Sequence, residues 1–184
     1  MTIALVIAVI AIGSCASQPD PAPTTITEAY RAAHPGGNLP EDLSTVPADL
    51  AGIARGLRQA LPEEVPVILP AELPAGYGVA APFVAIGSGA ALPNPEVWER
   101  GYRVAFTDGR GLVTVAVNLD DPPVVETTAG AVIEVGGRRL QAGRDGQMVV
   151  LLTDAAADWQ LAVIGLGSSS KSLESFAAGL RIVP

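Results

Sequence analysis

Hydrophobic residues recur at three spacings along the chain, and each spacing predicts a different kind of segment. Residues 3–12 are apolar without a break. Between residues 47 and 61 the apolar positions lie three or four residues apart, which is the spacing of one face of an α-helix. From residue 65 onward apolar and polar residues alternate in several segments, as they do in strands with one buried face. The pattern therefore predicts a helix over 47–61, followed by a sheet.

The predicted helix has an apolar face and recognisable ends. Ser44 or Thr45 can cap its start, Pro47 is tolerated in its first turn, and Pro62 ends it. We expect the apolar stripe to face the chain's own sheet rather than a partner, because an exposed stripe promotes aggregation. The stripe consists of Leu50, Ile53, Leu57 and Leu61.

Turn residues predict three antiparallel hairpins in the second half of the chain. Gly136-Gly137 is a pair that readily takes the positive φ angles of a tight turn, and Asp145-Gly146 is a second turn signal. Residues 108–111 supply turn chemistry for the first hairpin. The paired segments are 102–106 with 112–118, 131–135 with 138–141, and the strands on either side of Asp145-Gly146.

The end of the chain combines a buried strand with a short helix. Residues 148–152 are apolar at every position, so this strand is expected to be central and covered on both faces. In the next strand, the large apolar residues Trp159, Leu161 and Val163 stand at alternate positions. Three serines, 168–170, can cap a helix over 171–178, which Gly179 ends before a last strand.

These elements predict one α+β domain at residues 41–184, with the helix at 47–61 and the sheet and C-terminal helix at 65–184. We expect an antiparallel sheet of about six to eight strands with one or two helices packed on one face. Prolines restrict the segment 65–70 to an edge or an irregular strand.

The unbroken apolar run at the start is too short to cross a membrane. A spanning helix needs about 20 apolar residues, and this run ends at Ile12. It matches the apolar region of a secretory signal peptide, although no Lys or Arg precedes it. The ending Ile12-Gly13-Ser14-Cys15 resembles the lipobox of bacterial lipoprotein signal peptides, in which small residues precede the cysteine that is lipidated.

This resemblance implies that the signal peptide, residues 1–14, is removed and that Cys15 begins the mature chain with a diacylglycerol thioether. Two or three acyl chains anchor a protein stably, whereas one holds only marginally. Residues 15–40 are rich in proline and polar residues, so we expect an extended tether of about 3.1 Å per residue. The competing interpretation of the apolar run is a buried segment with an incidental cysteine.

Charge and cysteine content narrow the possible partners. The chain has 19 Asp and Glu against 11 Lys and Arg, a formal net charge of −8, which opposes binding to nucleic acid or to an anionic lipid surface. The single cysteine leaves no intramolecular disulfide. Burial of apolar side chains must therefore stabilise the fold.

Six features follow one another within residues 65–184. They are Ile68-Leu69-Pro70, Leu73-Pro74-Ala75-Gly76-Tyr77, the hairpin at Tyr102, the Gly136-Gly137 turn, the strand at Trp159 and the helix sequence Ser-Leu-Glu-Ser-Phe-Ala-Ala-Gly-Leu at 172–180. In this order they resemble an extracytoplasmic domain of unassigned function found at the C-terminal end of membrane-anchored bacterial proteins. Such proteins include sporulation lipoproteins and regulators of anti-sigma factors, and the domain is distantly similar to the lipoprotein-carrier fold. The resemblance implies a binding or sensing module and supplies no catalytic residues.

No set of residues in the sequence indicates catalysis. The only histidine, His34, lies in the tether and the only cysteine is Cys15, which leaves no Ser/His/Asp set, Cys/His pair or metal-ligand spacing. We therefore expect no enzyme activity, no cofactor and no metal. Asp120-Asp121 offers two carboxylates, but a full calcium site takes about six to eight oxygen ligands, so a solvated loop is favoured.

Residues 165–172 superficially match a phosphate-binding P-loop, because a Gly-rich stretch follows a strand and ends in Lys171-Ser172. Ser170 stands where the motif requires the glycine before the lysine. A serine-capped turn from strand to helix is therefore the favoured interpretation.

Two groups of side chains are candidates for contacts with a partner. Arg138, Arg139 and Arg144 form the densest basic cluster and are possible contacts for an anionic or acidic partner, with exposed positions on a sheet edge as the alternative. A second group of aromatic residues either lines a pocket or belongs to the core, and the core is favoured because aromatic residues are few. These residues are Tyr77, Trp98, Tyr102 and Trp159.

The sequence favours a cell-envelope lipoprotein, held at the extracytoplasmic face of the membrane by Cys15, that acts as a non-catalytic binding module or as a sensory or regulatory module. Its expected partner is an envelope protein or a lipid. The alternative is a lipid or lipoprotein carrier, which needs an apolar cavity between sheet and helices.

Overall fold

A computed structural model of the chain describes residues 44–81, 83–84, 91–92, 94–109, 111–119, 126–127, 133–145, 148–153 and 158–184. In chain order the strands are β1 (Ser44–Val46), β2 (Ile68–Pro70), β3 (Gly78–Ala81), β4 (Phe83–Val84), β5 (Ala91–Leu92), β6 (Glu96–Trp98), β7 (Gly101–Thr107), β8 (Leu112–Asn118), β9 (Glu126–Thr127), β10 (Ile133–Val135), β11 (Arg138–Asp145), β12 (Met148–Thr153), β13 (Gln160–Leu166) and β14 (Leu180–Ile182). The helices are α1 (Leu50–Ala60) and α2 (Ser170–Ala178).

One large antiparallel sheet dominates the structure. Its strands follow the order β1-β3-β7-β8-β13-β12-β11-β10, with β6 beside β7 and β9 beside β11. Strand β8 is central and pairs along its full length with β7 on one side and β13 on the other. Two small two-stranded sheets, β2 with β14 and β4 with β5, complete the described strands.

The three predicted hairpins are confirmed. They are β7–β8, β10–β11 and β11–β12, and each is antiparallel. Gly136 and Gly137 have φ angles of +56° and +76°, the left-handed values that their sequence predicts for the β10–β11 turn. Because each turn is short, these strands become neighbours in space as well as in sequence.

The core lies between one face of the large sheet and the helices. Leu57 of α1 and Leu173 and Phe176 of α2 are at most 3% exposed and pack against the sheet. Phe176 contacts Phe106 of β7, with 5.6 Å between ring centroids. The sheet contributes Tyr102, Val104, Phe106, Val113, Val115, Val117, Leu140, Val149, Leu151, Leu161 and Val163. The apolar stripe of α1 therefore faces the chain's own sheet, as predicted.

The start of α1 differs from the prediction. Ser44 and Thr45 lie in β1, paired with β3, so neither caps the helix, and Pro47 precedes the first turn. The cap is Asp49, whose Oδ1 accepts a hydrogen bond from Gly52 N at 2.8 Å. The helix therefore begins at Leu50, directly after this cap.

The ends of both helices and the start of α2 agree with the sequence. Leu61, the residue before Pro62, is extended, since a proline disfavours helical backbone at the residue before it. Ser169 caps α2, and its Oγ accepts a hydrogen bond from Ser172 N at 3.2 Å. The P-loop-like stretch is thus a serine-capped turn, and Gly179 follows the helix.

Tyr102 joins the large sheet to the small β2–β14 sheet. Its hydroxyl accepts a hydrogen bond from Ile68 N at 2.6 Å. The same hydroxyl lies 3.1 Å from the carbonyl oxygen of Ile68 and 3.3 Å from that of Pro66, so it can donate its one proton to this pair. A fully buried side chain thereby satisfies backbone groups of a short strand that has only one paired neighbour.

The fold is α+β, with helices on one face of a large antiparallel sheet, as the sequence predicts. The large sheet has ten strands among the described residues, eight along its main path and two short ones beside it, where about six to eight were expected. Neither described helix is long and apolar enough to span a membrane. Predictions for the signal peptide (1–14), Cys15, the tether (15–40), Asp120-Asp121 and the side chain of Arg144 fall outside the residues or side chains that the structure describes.

Candidate ligand-binding groove

The face of the sheet opposite the helices carries a partly open apolar groove, with a cavity of about 270 Å³. It crosses β6, β7, β8, β13 and β12, which at a strand spacing of about 4.8 Å is roughly 19 Å of sheet. Its apolar lining consists of Trp98, Ala116, Met148, Leu152, Ala162 and Ile164. Its polar lining consists of Arg103, Thr114, Asn118 and Gln160.

Small side chains at the centre of the sheet create the depression. Ala116 of β8 lies directly opposite Ala162 of β13, so two methyl groups form the floor where the strands meet. The larger side chains of Leu152 and Met148 rise on β12, on one side of these alanines. Successive side chains of a strand point to opposite faces of the sheet, so the residues that line the groove are not those of the helix-covered core.

Trp98 forms the opposite wall because Gly101 leaves room for its ring. A Cβ atom added at Gly101 would lie 2.7 Å from Cε2 and Cζ2 of Trp98 and would also collide with the carbonyl oxygen of Val117. The glycine therefore lets the indole lie across the backbone of β7. Trp98 is partly exposed, as expected for a side chain at the rim of a groove.

Asn94 fixes the segment that leads into β6. Strand β3 pairs with Phe106 and Thr107 of β7, and β6 pairs with residues 101–103, so Ala105 faces a gap between them. Asn94 fills the gap: its Nδ2 donates to the carbonyl oxygens of Ala80 and Ala105 at 2.8 Å, and its Oδ1 accepts from Ala105 N at 3.1 Å. One side chain thus replaces a missing stretch of strand beside the groove wall.

Most polar groups of the lining already have partners. Arg103 Nε donates to Glu96 of the neighbouring strand in an ion pair that is about three-quarters buried. Gln160 Oε1 accepts a hydrogen bond from Thr153 Oγ1 at 3.0 Å, and Asn118 also has a partner. The groove wall is therefore polar in places without carrying an unpaired charge.

Thr114 is the exception in the lining. It lies in the central strand β8, its side chain is on the groove face, and the residue is 3% exposed. Its Oγ1 is buried and has no hydrogen-bond partner among the described residues. Buried hydroxyl groups are usually hydrogen-bonded, because an unsatisfied one costs about 1–3 kcal/mol. Thr114 is therefore the position in the lining at which a buried hydroxyl lacks a hydrogen-bond partner among the described residues.

A second cavity, of about 350 Å³, lies at the start of α2 and is lined by serines, Lys171, Pro74, Tyr77 and Phe176. Burial raises the pKa of Tyr77, and the charge of Asp108 raises it further, whereas hydrogen bonds with Ser172 and Ser168 lower it. These hydroxyl groups bond to one another and to the first turn of the helix. Their arrangement stabilises the turn, and the lining includes no buried side-chain nitrogen or oxygen without a partner among the described residues.

Two of the three candidate arginines, Arg138 and Arg139, do not share one surface. Arg138 and Arg139 are neighbours on β11, so their side chains leave opposite faces of the sheet. Arg138 lies 3.3 Å from Asp158 and 5.2 Å from the ring centroid of Trp159, and Arg139 lies 3.6 Å from Glu134. Their role as a partner contact stays a prediction, and the acidic neighbours reduce the positive charge available for it.

The four candidate aromatic residues have different surroundings. Tyr102 is fully buried in the core, which is the interpretation that the sequence favours, and the partly buried Trp159 packs against the same core. Tyr77 packs on Phe176 at 5.6 Å between ring centroids. Trp98 lines the groove, whereas the sequence analysis favoured a position in the core.

Sequence reasoning did not single out the groove. The only sequence signal for it is Ala116 and Ala162, small residues at positions that face away from the helices in otherwise valine- and leucine-rich strands. That signal becomes meaningful only with the register that places them opposite each other. The carrier alternative needed a cavity between sheet and helices, whereas the groove lies on the other face and the helix-covered face is filled by core side chains.

Within the described ranges, no three His, Cys, Asp or Glu residues lie close enough together to hold a metal ion. No model of a known protein family matches the chain, and no curated protein matches it significantly. The lipobox and the resemblance of residues 65–184 to an extracytoplasmic domain therefore stay predictions.

Proposed function

We propose that the chain is a non-catalytic binding module of the bacterial cell envelope, anchored to the membrane by lipid on Cys15, which binds a small apolar envelope component in the groove. The observation that carries this proposal is the groove on the sheet face opposite the two described helices. Binding sites for small molecules are mostly apolar concavities with a few well-placed polar groups. The groove has an apolar floor, a mostly apolar lining, and one hydroxyl without a partner among the described residues.

A lipid or lipoprotein carrier is the second candidate, and the apolar lining of the same groove favours it. The cavity of about 270 Å³ is smaller than the range of about 300–1,000 Å³ that is typical of ligand pockets. A carrier has to enclose the long acyl chains of a lipid, whereas a sensory module needs to bind only one small molecule or part of a larger one. The size of the groove thus favours the binding module.

Photo-crosslinking in the native membrane tests the proposal. The photoreactive residue p-benzoylphenylalanine replaces Met148 at the groove in the full-length chain, and a matched variant carries it at Arg55, an exposed position on α1. After irradiation of intact cells, mass spectrometry measures the mass added to each variant. We expect an adduct of low molecular mass at position 148 and none at position 55.

Two results would contradict the proposal. A protein-sized adduct at position 148 would identify this face as an interface between proteins. The absence of any adduct specific to position 148 would show that the groove is empty in the envelope.

A further inference from the structure

Thr114 lies on the floor of the groove, at the centre of the sheet. Its cross-strand neighbours are Ala105 on β7 and Ile164 on β13, so its surroundings on the sheet are apolar. The residue is 3% exposed and its Oγ1 has no partner among the described residues, although Thr107 and Thr153, equally buried in this sheet, both have partnered hydroxyls. A lone hydroxyl beneath an apolar groove indicates a contact that a ligand completes.

The hydroxyl can turn toward the cavity without moving the backbone. The Oγ1 and methyl groups of threonine are similar in size, and rotation about χ1 by one staggered position moves Oγ1 into the place of the methyl group, while the methyl group takes the place of the Cβ hydrogen. Thr114 already lines the cavity, so the rotated hydroxyl faces a bound molecule. The hydroxyl loses its hydrogen bonds to water when the protein folds, and a bound molecule supplies a hydrogen bond in their place.

The other polar groups of the lining favour an uncharged ligand. Arg103 is already paired with Glu96, so a carboxylate that enters the groove meets a neutral ion pair. Asn118 and Gln160 have partners of their own. The formal net charge of −8 also repels anions from the protein as a whole.

From these observations we infer that Thr114 is the specificity-determining residue of the groove and that its ligands are neutral amphiphiles, meaning an apolar chain or ring with one hydroxyl or carbonyl group. The inference rests on the proposed function, since it names the class of molecule that the groove binds. The apolar part lies over Ala116 and Ala162, and the polar group forms a hydrogen bond with Thr114.

Three photoreactive probes of equal chain length test this assignment. They are a medium-chain alcohol, the corresponding carboxylate and the corresponding hydrocarbon, each with a diazirine near its end. Membranes that contain the full-length chain are irradiated with each probe, and mass spectrometry quantifies the adducts on Trp98 and Met148, which line the groove. We expect the alcohol to label these residues roughly tenfold more than the hydrocarbon, the effect of one hydrogen bond of ordinary strength.

Variants separate the role of Thr114 from that of the groove. Thr114→Val should reduce labelling by the alcohol to the level of the hydrocarbon, and Thr114→Ser, which keeps the hydroxyl, should retain the preference. Thr107→Val is the matched control, because Thr107 lies outside the lining, and should keep it as well. Ala162→Leu fills the groove and should abolish labelling by all three probes.

The possible failures are distinguishable. Equal labelling by the three probes, or a Thr114→Val variant that still prefers the alcohol, would overturn the role of Thr114 and leave the groove as a binding site. Preference for the carboxylate would overturn the selection of neutral molecules. If no probe labels the groove, or if Ala162→Leu leaves the labelling unchanged, the proposed function itself is wrong.

Discussion

Three buried threonines in one sheet differ in whether their hydroxyl groups have partners, and this difference predicts different responses to the same substitution. Thr107 Oγ1 donates to Gly111 O at 2.7 Å and accepts from Gly109 N at 3.0 Å, whereas Thr114 has no partner among the described residues. Thr107→Val should lower the free energy of unfolding by about 1–3 kcal/mol, because it leaves backbone groups unsatisfied. Thr114→Val should leave it unchanged or raise it by up to about 1 kcal/mol.

Urea denaturation of the ligand-free chain measures both values, provided that the denaturant slope is the same for each variant. Thr153→Val is a second control, since Thr153 Oγ1 accepts from Leu161 N at 2.9 Å and donates to Gln160. A Thr114→Val variant as unstable as the two controls would show that its hydroxyl has a partner after all.

Tyr102 predicts a loss of stability at alkaline pH. Burial raises the pKa of its hydroxyl far above the ordinary value near 10, although the hydrogen bond with Ile68 and the charge of Arg58 lower it in part. The folded state therefore holds this proton more tightly than the unfolded state. The stabilisation is complete below about pH 10 and is lost as the pH rises from there toward the folded-state pKa.

Tyr102→Phe should lower the free energy of unfolding at pH 7 by about 1–3 kcal/mol, because Ile68 N loses its acceptor. It should also make the decline above pH 10 less steep. Some decline should remain, since the pKa of Tyr77 is raised as well. Denaturation series at pH 7 and at pH 10–11 check this, and equal alkaline slopes for the two proteins would contradict it.

At the level of elements, the sheet depends on a side chain at the gap between β3 and β6. Asn94→Ala removes three hydrogen bonds to the backbones of Ala80 and Ala105, and we expect it to destabilise the fold by about 2–3 kcal/mol. Because Asn94 precedes β6, the fluorescence of Trp98 should also shift to longer wavelength as the indole becomes more exposed. Trp159→Phe in the background leaves Trp98 as the only tryptophan.

Gln59→Ala, at an exposed position of α1, is the control for Asn94 and should change stability by less than about 0.5 kcal/mol. If the two variants have the same stability and the same Trp98 emission, Asn94 does not hold β6 in place.

Elements with local signals could be predicted from the sequence, and elements that depend on distant pairing could not. The β10–β11 turn follows from Gly136-Gly137, and the cap of α2 from its serines, because both need only neighbouring residues. Strand β1 was missed because its pairing with β3 lies more than 30 residues away, and Ser44 and Thr45 are also good caps. Short edge strands have too few residues to show an alternating pattern.

The groove could not be predicted for the same reason. Its floor requires Ala116 and Ala162 to be cross-strand partners, and its wall requires Trp98 to lie over Gly101. These relations depend on the register of strands from different hairpins, which the sequence pattern does not specify. The core face was easier to predict, because valine, leucine and aromatic residues alternate on it in every central strand.

At the scale of the whole molecule, the two faces of the sheet differ in how they are covered. The helix-covered face supplies the buried apolar area that stabilises a fold without disulfides. The other face is open enough to carry the groove. On the proposed function, the molecules that reach the groove are those present where the chain is held.

Location therefore gives the last prediction, which concerns the lipid anchor. The resemblance of Ile12-Gly13-Ser14-Cys15 to a lipobox predicts that the mature chain carries two or three acyl chains on Cys15. Cys15→Ala should abolish incorporation of radiolabelled palmitate. It should also shift the chain to a slower-migrating form that retains residues 1–14, because processing of lipoprotein signals follows lipidation.

Cys15→Ser provides a second substitution without a thiol and should behave in the same way, whereas Ser17→Ala, two residues beyond the lipobox, should leave both labelling and processing unchanged. Palmitate that remains on the Cys15→Ala chain would show that the lipid is attached elsewhere, and an unlabelled wild-type chain would show that Cys15 is not a lipid anchor.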